Sequence, residues 1–218
     1  MKHVLMALLC ILAIWKGFFS GHGKVTLGAG VAVTEAPYQR ELDSALKFQH
    51  GVHHITALAE FRLHAKVLSR ADYSMDAGSD LVPVDLALGW QNMSDERVLQ
   101  DIEISQSGRF YWWRTQTFPI PRHEIETESA NMHLIPADES VEKAIKRVKQ
   151  GAIIAIEGYL VNAERPDGGR WESSLSREDS GRGACELVWV KSFQIVKGSN
   201  NPSFTKEGAG RIFFDFTR

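Results

Sequence analysis

Cys185 and His133 are the two residues of this sequence that could act together as a nucleophile and its base. A neighbouring imidazole activates a thiol by lowering its pKa, and the thiolate is the attacking species. His133 lies just before the strongest helical pattern, whereas Cys185 opens a strand-like segment, so the two side chains meet only if these segments are neighbours. The pair predicts a thiol-dependent hydrolase or transferase. The alternative is a structural Cys185, because a single cysteine entering a strand is usually a small buried hydrophobic residue.

A second set of residues could bind a ligand or a partner. Adjacent residues of a strand point to opposite faces, so one of Trp112 and Trp113 is expected in the core, and the other could stack on a sugar, a base or a partner. Residues 173–183 combine glycine, serine and arginine and could hold an anion, although they lack the spacing of a phosphate-binding loop. The alternative, which is favoured, is a solvated hairpin connector. The predicted binding residues are Trp113, Arg114, Trp171, Ser176, Arg177 and Arg182.

The histidines near residue 50 do not have the spacing of a metal-binding motif. His53 and His54 are adjacent and would face opposite sides of a strand, while Gly51 separates them from His50 and disfavours a helix. No carboxylate completes a spacing such as that of the H-E-x-x-H motif. We therefore expect no metal and no cofactor, and we interpret these histidines as solvated or capping side chains.

The composition is that of an ordinary globular domain and argues against nucleic acid as a partner. The 218 residues are 44% hydrophobic and carry a net charge of −2. Without residues 1–23, which contain Lys2 and Lys16, 23 basic residues stand against 27 acidic ones, a net charge of −4. Nucleic-acid binding depends largely on basic residues that contact phosphates. Cys10 lies in the leader, so Cys185 has no disulfide partner within the domain.

Residues 1–23 have the pattern of an export signal or a membrane anchor. Lys2 precedes an uninterrupted apolar run at residues 4–15, as in a signal peptide. The nearest match to a small-x-small cleavage site, at residues 21–23, is poor. We therefore expect residues 4–19 to anchor the chain in an inner membrane and to place the domain in the periplasm. A cleaved signal that releases the domain is the first alternative, and a buried N-terminal helix is the second.

Beyond the leader, hydrophobic periodicity predicts both strands and helices. Residues 55–67 alternate between apolar and polar side chains, which is typical of a strand with one buried face. Residues 152–163 form a predicted central strand, in which Gly158 indicates a bulge. Residues 138–150 form the clearest helix, capped by Asp138. The remaining segments are predicted as short helices at 37–48 and 94–102 and as strands at 108–118, 123–129, 171–176 and 186–196.

These elements predict an α+β fold built on a strongly coiled antiparallel sheet with two or three short helices. A partly closed barrel like that of the oligonucleotide/oligosaccharide-binding (OB) fold is one form that such a sheet could take. The expected organisation is a signal or anchor in residues 1–23, a linker and short helix in 24–52, the α+β domain in 53–196 and a C-terminal extension with a last apolar strand in 197–218.

Three segments carry a resemblance to other proteins. Residues 129–138 (SANMHLIPAD), residues 158–161 (GYLV) and residues 171–186 around WESSLSREDSG and GACE are similar to a group of uncharacterised bacterial envelope proteins with an N-terminal apolar leader. The resemblance implies a location in the bacterial envelope and implies no activity, cofactor or catalytic residue.

The leader and the lack of a complete catalytic motif favour a non-catalytic protein over an enzyme. The leading hypothesis is a non-catalytic binding or assembly module, exposed to the periplasm, that binds an envelope protein or a small envelope ligand. The thiol-dependent enzyme that uses Cys185 and His133 is the alternative.

Overall fold

The computed structural model describes residues 23–176, 178 and 184–197, and its sheet is organised by one long strand, β2 (His53–Asp72). β2 is antiparallel to three strands, β1 (Tyr38–His50), β3 (Val84–Gly89) and β7 (Ile153–Glu164). At ~3.3 Å per residue a strand of this length cannot stay flat, because strands twist. Register shifts in all three pairings show where β2 bends.

Five strands close a ring of hydrogen bonds. β3 is antiparallel to β6 (Ser129–Pro136), and β6 is parallel to β9 (Glu186–Lys197). β9 is antiparallel to β7, which returns to β2. The predicted α+β fold with a strongly coiled sheet is confirmed, although the sheet contains one parallel pair. The short strand β8 (Arg170–Trp171) pairs with β7.

The inner face of this ring holds the main hydrophobic core. Alternate residues of each strand point inward, as the strand period of two requires. The fully buried side chains of this core include Phe61, Val84, Leu86, Met132, Leu134, Ile154, Ile156 and Val188. The opposite face of β3, β6 and β9 therefore presents a second set of side chains, and the candidate site lies there.

Three short helices connect the strands. α1 (Glu96–Leu99) follows a 3-10 turn, α2 (Arg122–Thr127) precedes β6, and α3 (Glu139–Arg147) joins β6 to β7. The predicted N-cap of α3 is confirmed, because the Asp138 carboxylate accepts hydrogen bonds from the first turn. Val141, on the inner side of α3, packs against the main core.

A two-stranded hairpin covers the outer face of the ring. β4 (Glu103–Ser107) and β5 (Phe110–Arg114) pair with each other, apart from the main sheet. Gly108 and Arg109 form the turn and both have positive φ, +59° and +72°, as a two-residue hairpin turn requires. The inner side of the hairpin packs on a cluster that includes Ala87 of β3.

Two local predictions were wrong. Residues 37–48 form strand β1 and not a helix, because the free edge of β2 offers backbone groups that β1 satisfies, with Gly51 (φ +56°) in the turn between them. Residues 123–129 form α2 and the first residue of β6 and not a strand. Ile125 is fully buried, but His123 and Thr127, which would share its face of a strand, are not buried, so this segment lacks the alternation of a strand.

Residues 25–33 lie in a segment that the sequence predicts as a linker or a first edge strand, and they run in an extended conformation against the main core. The Leu27 N–H donates to Glu96, and the Val33 N–H donates to the Ser94 hydroxyl at 2.9 Å. Val33 itself is buried. This arm is therefore part of the packed domain.

Within the described part of the chain, no helix is long and apolar enough to cross a membrane. The predicted anchor at residues 4–19 and the predicted last strand near the C-terminus lie outside the described residues.

Candidate functional site

The candidate site begins with a pair of charged side chains on neighbouring strands. Asp85 of β3 lies directly opposite His133 of β6 in the antiparallel register, so both side chains point to the outer face. His133 Nδ1 lies 2.9 Å from Asp85 Oδ1, and both residues are buried. At this distance the carboxylate and the imidazole form an ion pair when the imidazole is protonated.

Cys185 joins this pair from the third strand. Glu186, the first residue of β9, pairs with Met132, so Cys185 lies beside Asn131 and next to His133 on the outer face. The thiol is half-buried. Asp85 and His133 are therefore direct cross-strand partners, and Cys185, the residue before β9, lies diagonally from His133 on the same outer face.

The neighbours of His133 keep its imidazole charged. Burial alone would lower the pKa of His133, but its side-chain interactions with Asp85 and Cys185 outweigh burial and raise the pKa to about 9. The imidazole is therefore protonated at neutral pH. An imidazolium beside a cysteine is the arrangement that stabilises a thiolate in thiol enzymes.

Arg109, at the tip of the hairpin, fixes the Asp85 carboxylate. Its Nη1 donates to Asp85 Oδ1 at 3.0 Å and to the Val82 carbonyl at 2.9 Å. Its other nitrogens donate to both oxygens of Asp76, and its guanidinium lies over the Tyr73 ring. Because two cations contact Asp85 Oδ1, the cost of burying this carboxylate is offset. Asp85 Oδ2 has no hydrogen-bond partner among the described residues.

Asn131 lies between the hairpin and the thiol. Its side-chain oxygen accepts a hydrogen bond from Gln106 Nε2 at 2.7 Å, and its Nδ2 donates to the Arg109 carbonyl at 3.1 Å. The same Nδ2 lies 3.9 Å from Cys185 Sγ. Asn131 therefore presents an amide N–H to the sulfur.

The Trp171 ring of β8 packs against the His133 imidazole. The two ring centroids are 4.7 Å apart, with planes inclined at 57°. A Cβ atom on Gly78 would lie 2.8 Å from the Trp171 ring, so the absence of a side chain there makes room for the indole. The indole shields the charged imidazole from water, which strengthens the electrostatic interactions of His133 with Asp85 and Cys185.

The residues after β8 position Cys185. The Ser174 N–H donates to the Cys185 carbonyl at 3.1 Å, and the Leu187 N–H donates to the Ser173 hydroxyl at 3.0 Å. These contacts fix the backbone on both sides of Glu186, and they hold the thiol at the start of β9.

The other predicted binding residues do not form one surface. Trp113 points inward and packs in the cluster beneath the hairpin, whereas 60% of Trp112 is exposed. Arg114 pairs with Glu103 on the exposed side of the hairpin. Trp171 lies beside His133, and Ser176 is exposed. The predicted binding residues Arg177 and Arg182 lie outside the described residues.

Among the described residues, no group of three or more His, Cys, Asp and Glu side chains could hold a metal ion. The histidines near residue 50 have other neighbours. His50 packs edge-on against the Trp189 ring at 4.7 Å, and His53 Nε2 lies 3.9 Å from Asp80.

The sequence pointed to Cys185 and His133 but not to Asp85, Asn131 or Arg109. One signal for Asp85 was present, because it is the single charged residue in the otherwise apolar stretch at residues 81–90. A buried charge of this kind needs a partner. Which partner it has depends on the order of the strands, and the sequence does not show that order.

Comparison of the chain with protein-family models, with curated proteins and with solved structures gives no match. Any function assigned to the site therefore depends on its geometry.

Proposed function

We propose that this protein is a thiol-dependent hydrolase or transferase, with Cys185 as nucleophile and His133 as its proton-transfer partner. The observation that supports this most strongly is the cluster of Asp85, His133 and Cys185 on one face of the sheet, in which His133 interacts with both of the other side chains. A nucleophile, a base within reach of it and a third group that orients the base are the three parts that this chemistry needs.

Each side chain has a distinct role in the proposed reaction. The Cys185 thiolate attacks an electrophilic carbon of the substrate, and the His133 imidazolium donates its proton to the leaving group. Asp85 is a positioning residue: its carboxylate fixes the imidazole and stabilises the charge on it. Water, or another acceptor, then attacks the covalent intermediate and releases the product.

A purely structural interpretation explains only part of this arrangement. Arg109, Asp85 and His133 could form a buried ion network that fixes the hairpin on the sheet. Such a network does not require a half-exposed thiol next to the imidazole. Structural cysteines are typically fully buried, whereas reactive cysteines are partly exposed beside a positive group.

The reactivity of Cys185 tests the proposal. The folded chain is treated with iodoacetamide at pH 7, and alkylation of Cys185 is followed by peptide mass spectrometry, with the urea-unfolded chain as reference. We expect Cys185 to react about tenfold faster, or more, in the folded chain, because an imidazolium neighbour stabilises the thiolate. An unreactive Cys185, or one that reacts no faster than in the unfolded chain, would contradict the proposal.

A periplasmic location is part of the same proposal. The export-signal pattern of residues 1–23 supports it, with residues 4–19 as the anchor and an envelope protein or a small envelope ligand as the substrate. Protease added to spheroplasts should digest the domain while a cytoplasmic marker survives. Protection of the domain until the inner membrane is lysed would argue against this location.

A binding role is a second candidate, and one observation favours it. Phe110 and Trp112 lie side by side on the exposed side of the hairpin, with ring centroids 6.1 Å apart. Exposed aromatic residues are typical anchors of protein interfaces. If the domain is a binding module, Trp112→Ala should abolish partner cross-linking, whereas Cys185→Ser should leave it unchanged. The opposite pattern would exclude a purely binding role.

A further inference from the structure

We propose that the Asn131 amide stabilises a negatively charged oxygen that forms when Cys185 attacks a carbonyl group. This inference rests on the proposed function and makes it more specific. An oxyanion forms when a thiolate adds to an ester, an amide or a thioester, but not in a simple displacement at a saturated carbon. The substrate class is therefore a carboxylic acid derivative, and the reaction is acyl transfer.

Two contacts fix the orientation of the Asn131 amide. The Asn131 oxygen accepts a hydrogen bond from Gln106 Nε2. The Arg109 carbonyl is an acceptor, so the atom facing it must be the nitrogen. Both contacts give the same orientation, and Asn131 is 3% exposed. The amide is thus pre-organised before a substrate binds.

The second N–H of this amide is directed at the atom that would attack the carbonyl group, Cys185 Sγ. Nδ2 donates one hydrogen to the Arg109 carbonyl and the other to Cys185 Sγ, 3.9 Å away, a long contact that an oxyanion could replace. When the sulfur bonds to a carbonyl carbon, the oxygen on that carbon can approach the donor more closely than the sulfur does. The spacing is therefore compatible with the donor–oxyanion distance of about 2.7–3.1 Å that such sites use.

The proposed reaction balances in two steps. In the first, the Cys185 sulfur bonds to the carbonyl carbon, the C=O electron pair moves to oxygen beside Asn131, and the oxyanion then collapses to expel the leaving group. The leaving group takes its proton from the His133 imidazolium, which leaves a thioester and neutral His133. In the second, water adds to the thioester and gives one proton to His133, and collapse of the new oxyanion releases a carboxylic acid and the thiolate.

The test compares two reagents that differ only in whether an oxyanion forms. p-Nitrophenyl acetate acetylates Cys185 through an oxyanion, whereas iodoacetamide alkylates it by displacement at a saturated carbon. In Asn131→Ala we expect the acetylation rate to fall by about 10²–10³-fold, because one oxyanion donor is lost, while alkylation changes far less, because the contact of the amide with the sulfur is long. Asn131→Leu, which keeps a similar shape without N–H donors and without adding a charge beside Cys185, should show the same separation. Asn92→Ala is the matched control, because Asn92 Nδ2 also donates one side-chain hydrogen bond, at 2.8 Å to Glu124 Oε2, but belongs to the 3-10 turn.

The possible outcomes separate the two proposals. Loss of acetylation with a far smaller change in alkylation in both Asn131 variants supports the role of the amide. Equal rates with both reagents in the variants and in the wild-type protein would show that Asn131 is not the donor, while Cys185 remains a nucleophile. A parallel loss with both reagents would make Asn131 a structural residue and overturn the inference. A wild-type Cys185 that reacts with neither reagent would refute the thiol chemistry itself.

Discussion

His133 carries its charge because of the two side chains beside it, and its titration is therefore a test of the site. Its pKa is raised to about 9, so the imidazolium contributes stability below the usual histidine pKa, and this contribution is lost as pH rises through about 9. We expect the His133 resonances in an NMR titration to change near pH 9. Asp85→Asn removes one cause and should lower the pKa. A wild-type midpoint near the ordinary value of about 6.5 would show that neither Asp85 nor Cys185 stabilises the protonated imidazole.

The imidazole should also control the reactivity of the thiol. In His133→Gln we expect the rate of p-nitrophenyl acetate hydrolysis at pH 7 to fall by about 10²–10⁴-fold, because proton transfer and the positive charge beside Cys185 are both lost. His54→Gln is the control, because His54 is exposed on β2. Urea unfolding of both variants checks that the fold is kept. If the two variants hydrolyse the ester at the same rate, His133 has no part in the reaction.

At the level of single residues, the reactive side chains were easier to predict than the residues that surround them in the fold. Cys185 and His133 stand out by residue type, and their juxtaposition was expected on the condition that their segments are neighbours. That condition holds because β6 and β9 pair in parallel. Asp85 and Asn131 enter the site only through the order β3-β6-β9 and through a hairpin whose tip reaches back to the sheet. These contacts are long-range, and no local pattern encodes them.

Among the elements, those with strong local signals were predicted well. The alternation in β2 and the Asp138 cap of α3 are examples. β1 was mistaken for a helix because its side chains are mostly exposed, so its pattern carries little information. Its strand conformation comes from pairing with β2, which is a tertiary interaction.

Gly158 allows β7 and β9 to approach each other closely. The predicted bulge is confirmed by a register shift between Glu157 and Gly158 in the β7–β9 pairing. A Cβ atom at position 158 would lie 1.8 Å from the Trp189 carbonyl oxygen, which is backbone and cannot move aside. Gly158→Ala should therefore lower the free energy of unfolding by roughly 1–3 kcal/mol or more, as overpacking does.

Urea unfolding measures this effect, and a second glycine serves as the control. A Cβ atom at position 28 would have no other atom within 4 Å, and Gly28 has no positive φ, so Gly28→Ala should leave the unfolding midpoint nearly unchanged. If Gly158→Ala is as stable as Gly28→Ala, that result would contradict the close approach of β7 and β9 at Gly158.

For the whole molecule, a buried ion pair between β2 and α1 lies where the N-terminal arm meets the ring. Lys66 Nζ lies 2.6 Å from Glu96 Oε1, and Lys66 is 2% exposed. The same Glu96 oxygen accepts the Leu27 N–H, and the neighbouring Asp95 accepts the Gly30 N–H at 3.0 Å. β2, α1 and the arm thus meet at Glu96, and the arm that looked like a linker in sequence depends on this carboxylate.

Removal of one partner of this pair should cost more than removal of both. In Lys66→Met the Glu96 carboxylate stays buried without its cation, and we expect the free energy of unfolding at pH 7 to fall by about 3–5 kcal/mol. Adding Glu96→Gln removes the charge but keeps an oxygen for the Leu27 N–H, so the double variant should regain part of the loss.

Burial raises the pKa of Glu96, but the hydrogen bonds from Lys66 and Leu27 outweigh it and lower the pKa. The stability from this carboxylate is therefore present above its ordinary pKa and is lost as pH falls through the lowered value. Urea unfolding at pH 7 and in acid, with limited proteolysis of the arm, tests both effects. A double variant that is no more stable than Lys66→Met would mean that the buried charge is not what makes the single change costly.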